Sequence, residues 1–119
     1  MHAGPEPLYS VYRASAWSIV CYRWVTQRPA GIGDFLSFSE AGTSFEWWDF
    51  PRAVGVSFWD DLEKAAALAR RRDFPFLAEL DLARMPGQTP WAFTGTPGHI
   101  TVWAPPPLLV AAVVNYVEV

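Results

Sequence analysis

The stretch IVCYRWV, residues 19–25, has the length and the β-branched and aromatic content of a strand, with an arginine in its middle. Side chains alternate along a strand, so Val20, Tyr22 and Trp24 share one face and Cys21, Arg23 and Val25 the other. Arg23 therefore sits between two residues of core type. Charged side chains are rarely buried unless paired, so it needs either an internal carboxylate or an anion from outside.

Reading outward, residues 1–18 form an irregular arm with a short strand at LYSVY. TQRPAGIG is a loop, and DFLSFSEAG, residues 34–42, is a short helix that Asp34 caps and Gly42 ends. AVGVSF, residues 53–58, is a second strand ending near Ser57. The helix DDLEKAAALARRR follows: Asp60 and Glu63 have capping-box spacing, and arginines fill the last turn. Its apolar stripe is Leu62, Ala65, Ala66 and Ala69. FPFLAELDL is a third strand, ARMPGQTP a turn-rich loop, HITVWA a fourth strand, PPPLLVAAVV a proline-initiated helix and NYVEV a last strand. The pattern specifies an α+β domain spanning residues 1–119, with a strongly curved or split sheet.

A chain of 119 residues, 51% hydrophobic and 18% charged, is of single-domain size and globular composition. A net charge of −3 argues against general nucleic-acid binding. The run Arg70–Arg71–Arg72 reads as a solvated helix end. The opening residues lack a basic-then-apolar run, the longest apolar stretch is too short to cross a membrane, and Cys21 is the lone cysteine. A reducing, cytoplasmic setting is expected.

His2, Cys21 and His99 lack metal-ligand spacing, and no phosphate loop or nucleophile elbow occurs. A Cys21–His99 pair exists on paper, although a lone buried cysteine is ordinarily a small hydrophobe. What remains is one polar group or pair on each of four strands: Arg23, Ser57, Glu79, and His99 with Thr101. Plainer readings stay open for each. Arg23 and Glu79 can form an ion pair, Ser57 can cap a turn, His99 can bond to backbone, and Glu79 can face solvent. His99, Thr101 and Trp103 share a face that suits a cleft wall, with His99 partly exposed. The aromatic segment FEWWDF, residues 45–50, offers Phe45, Trp47, Trp48 and Phe50 to a protein partner or to the core.

Tyr22-Arg23 on an early strand, then Gly55-Val56-Ser57-Phe58-Trp59 running into an Ala-rich helix, then Gly98-His99, Thr101 and Trp103, resembles small bacterial proteins of the ADP-ribosyltransferase-like class. The likeness covers about residues 20–119. It implies a small curved or split, mostly antiparallel sheet with two to three helices that grips NAD. By that resemblance Arg23 and Tyr22 meet phosphate or ribose, Ser57 contacts the nicotinamide ribose, and Phe58 or Trp59 stacks on the nicotinamide. The catalytic set it implies is Arg23, Ser57, His99 and Glu79, with no metal. The chain departs from the class in lacking an E-x-E or Q-x-E pair near its end. The implied role is a toxin or stress effector that transfers ADP-ribose from NAD to a macromolecule. The alternative is a non-enzymatic interaction or inhibitor protein of a toxin or phage-related system.

Overall fold

The computed structural model of the chain describes residues 10–14, 19–42 and 54–119. The aromatic segment 45–50 and most of the N-terminal arm lie outside the described residues. Among the described residues, the strands are β1 (Tyr12–Arg13), β2 (Val20–Val25), β3 (Val56–Trp59), β4 (Phe76–Asp81), β5 (Pro90–Phe93), β6 (His99–Val102) and β7 (Val113–Glu118). They form one sheet in the order β1-β5-β6-β3-β2-β4-β7, and every pairing is antiparallel. Helix α1 (Phe38–Ala41) is a single turn; α2 (Leu62–Arg71) and α3 (Pro106–Ala111) are longer. The fold is thus α+β, and the expected split is reduced to one weak junction, between β2 and β3.

The alternation of β2 holds. Cys21 and Val25 enter the main core with Val56, Phe58, Ala78, Leu80, Ile100 and Val102. The other face carries α2, whose Ala65, Ala66 and Ala69 pack on Leu77 with Tyr22, Trp24 and Trp59 around them. Small side chains let the helix lie close to the sheet. Two details of α2 differ from expectation. The N-cap is Asp61, whose Oδ1 accepts from the Lys64 amide at 3.0 Å. Asp60 lies one residue before the cap, and its amide donates to the Gly98 carbonyl at 2.9 Å, which continues the β3–β6 pairing. The first turn is exposed, so Leu62 remains 40% accessible and the stripe is carried by the alanines.

Asp34 does not cap α1. It lies in a 3-10 turn, Ile32–Phe35, while α1 starts at Phe38 and Gly42, at φ +74°, closes it. Ser57 sits inside β3 instead of at its end. The expected scheme has no strand at β5. It starts on a proline and is four residues long, so only its pairing with β1 and β6 reveals it.

Candidate functional site

Strand β2 pairs with β4 from Val20 opposite Asp81 to Val25 opposite Phe76. Its other edge meets β3 only at Tyr22 opposite Trp59. Beyond that pair the strands no longer bond to each other, and the half-buried Arg23 side chain fills the space. Its Nε donates to the Asp34 carbonyl at 2.6 Å, and its Nη1 donates to the Ser57 carbonyl at 3.0 Å. Both acceptors are neutral. The Asp34 carboxylate is taken up by its own loop: Oδ1 accepts from the Thr26 amide and hydroxyl, each at 2.8 Å, and Oδ2 from the Gly31 amide at 3.0 Å. Among the described residues no hydrogen bond reaches Arg23 Nη2. Burial pulls the guanidinium down to about 10, with Asp34 pushing the other way, so it is cationic at neutral pH.

The expected alternative, an Arg23–Glu79 ion pair, is absent. Arg23 stands opposite Ala78, and Glu79 stands opposite Tyr22 on the other face. Glu79 acts instead on the Tyr22 hydroxyl. Burial first and Glu79 second raise the Tyr22 phenol above its ordinary value.

A cavity of about 310 Å³ opens at the β2–β3 junction. Arg23, Ser57, Trp59 and His99 line it, joined by Trp24 and Arg72. Four of the residues singled out from the sequence therefore meet at one place. Gly55 makes room for this: a Cβ there would run into the Thr101 side chain and lie 3.0 Å from Trp103 Nε1. Ser37, from the segment leading into α1, closes another side.

His99 is 8% exposed, more buried than expected, because the Trp59 ring sits edge-on to it at 4.8 Å. A carbonyl can only accept, so Nδ1–H donates to the Thr94 carbonyl at 2.9 Å. Thr94 Oγ1 is 2.9 Å from the same nitrogen and 2.7 Å from Thr101 Oγ1. This tautomer makes Nε2 of a neutral His99 an acceptor.

Trp59 carries two further features. The Lys64 ammonium lies 5.0 Å from its ring centroid, and its buried Nε1 has no hydrogen-bond partner among the described residues. Opposite, the Arg72 guanidinium lies 5.0 Å from the Trp24 ring, which stands 6.0 Å from Phe74.

The other sequence candidates fall elsewhere. Phe58 is fully buried in the main core against Phe35, centroids 6.3 Å apart, so it presents no ring to a ligand. Tyr22 and Glu79 are not among the residues lining the cavity. Cys21 belongs to the main core, away from His99, and burial, helped by Asp81 and Asp60, pushes its thiol well above the ordinary value. Trp24 and Arg72 are lining residues that the sequence reading passes over. Arg72 lies in the arginine run taken for a solvated helix end, and Trp24 is placed only on the strand face it shares with Val20 and Tyr22.

Among the described residues no group of His, Cys, Asp and Glu could hold a metal ion, and no helix is long and apolar enough to cross a membrane. No protein-family model, curated protein or solved structure matches the chain.

Proposed function

We propose that the protein binds a nucleotide anion in the β2–β3 cavity, with NAD the ligand that the ADP-ribosyltransferase-like resemblance implies. The observation that carries the reading is Arg23. A cation held by two neutral carbonyls faces a cavity with no acid among its described lining residues. The Asp34 carboxylate, outside the cavity lining, offsets part of that charge; what remains attracts an incoming anion, and the planar guanidinium matches paired phosphate oxygens. The Ser57 hydroxyl suits a ribose hydroxyl, and the aromatic ring of Trp59 suits a base or nicotinamide.

A cavity of about 310 Å³ lies at the small end of ligand pockets, which start near ~300 Å³. It takes one half of a dinucleotide, the other half lying outside over the rim. Cleaving the glycosidic bond of NAD calls for a carboxylate beside the ribose. Glu79, the candidate for that task, is not among the residues lining the cavity. The proposal is therefore for binding.

The test is a thermal melt with NAD, ADP-ribose and AMP. A ligand at about 100 times its dissociation constant adds about 2.7 kcal/mol of stability. The gain is expected for the native chain and lost in Arg23→Gln, provided that variant still melts cooperatively. No shift with any of the three at millimolar concentration sinks the reading.

A further inference from the structure

We propose that Arg72 is a second anion contact, and that it makes the cavity selective for a pyrophosphate-bridged nucleotide over a nucleoside monophosphate. The inference rests on the Arg23 reading and adds a specificity residue to it. Arg23 and Arg72 line the same cavity from different depths, one half-buried at the strand junction and one exposed at the end of α2. Two cations facing one space with no acid among its described lining residues repel each other. A ligand with a single anionic group answers one of them. A pyrophosphate carries a charge on each phosphate and answers both.

Local structure holds Arg72 at the rim. It is the C-cap of α2, and Asp73, at φ +61°, turns the chain so that the Phe74 amide donates to Ala69 O at 2.9 Å. That turn sets Phe74 and the Arg72 guanidinium around the Trp24 ring, at 6.0 and 5.0 Å between centres. A guanidinium lying on an indole has lost much of its rotational freedom, while the N–H groups at its rim stay directed outward. It can take a phosphate oxygen without being ordered anew.

The experiment is calorimetric titration of the native chain, Arg72→Gln, Arg72→Lys and Arg23→Gln with ADP-ribose and with AMP. Arg72→Gln is expected to weaken ADP-ribose roughly ten-fold and to leave AMP unchanged, so that the preference collapses. Arg72→Lys, which keeps the charge and loses the fork, falls between. Thermal melts and Trp24 fluorescence report whether the helix end stays in place. An unchanged ADP-ribose to AMP ratio in Arg72→Gln, with binding still lost in Arg23→Gln, overturns the inference and leaves the Arg23 reading standing. An equal loss for both ligands overturns it as well, since it marks a structural effect. A native chain that binds neither ligand overturns both.

Discussion

The two edges of β2 are built differently. Toward β4 the ladder runs in register from Val20 to Val25, and the backbone groups find partners on the neighbouring strand. Toward β3 there is a single register pair, and the Ser57 carbonyl accepts from a side chain instead of a strand amide. Backbone polar groups inside a fold must be satisfied somehow. Where strands part, an arginine can do it by spanning a gap that a backbone amide cannot. The consequence is a cavity with a positive charge at its wall. The dense edge holds the fold together; the sparse edge makes room for chemistry.

The largest expected effect tests the dense edge. Leu80, opposite Cys21, is fully buried, and Leu80→Ala should lose about 3 kcal/mol in urea unfolding, within the usual range for large-to-small core changes. A loss below about 1 kcal/mol would mean that the β2–β4 edge does not hold the fold together. The next concerns Cys21 on the same edge. Its folded-state thiol titrates above the ordinary 9.0, so its contribution is fully present below pH 9.0 and lost as pH rises through the folded value. Stability should therefore fall by up to about 1.4 kcal/mol per pH unit above 9.0, and Cys21→Ala should flatten that slope. An unchanged slope refutes the assignment.

On the sparse edge Arg23→Ala should cost only about 1 kcal/mol. The two carbonyls it leaves border a cavity that water can enter, and removing a half-buried cation that Asp34 only partly offsets cancels part of the loss. A buried ion pair broken at one partner would instead cost about 3–5 kcal/mol, so chemical denaturation separates the two cases. The smallest effect belongs to Tyr22, which pairs on both edges. Tyr22→Phe removes only the half-buried residue's hydroxyl, on which Glu79 acts, and should change stability by less than about 0.5 kcal/mol at pH 7. The Tyr22 phenol is raised in the folded state, so the native chain should lose stability relative to Tyr22→Phe as pH climbs above the ordinary phenol value of 10.0.

What the sequence determined by itself is what depends on near neighbours. The alternation of IVCYRWV set the faces of β2, marked Cys21 as core and singled out Arg23 as a charge in a core position. The alanine spacing and terminal arginines placed α2, and the prolines placed the start of α3. The tertiary structure decided whatever depends on register between distant segments. It put Glu79 on the face opposite Arg23, because an offset of one residue in a strand reverses the side. It made a strand of Pro90–Phe93, which has too few residues for a periodic signal and is recognisable only by its two neighbours. It parted β2 from β3 and brought Arg72 beside Trp24 at the rim of the resulting cavity. Periodicity is a local property and strand pairing is not, so the arginine was legible in the sequence and the cavity it faces was not.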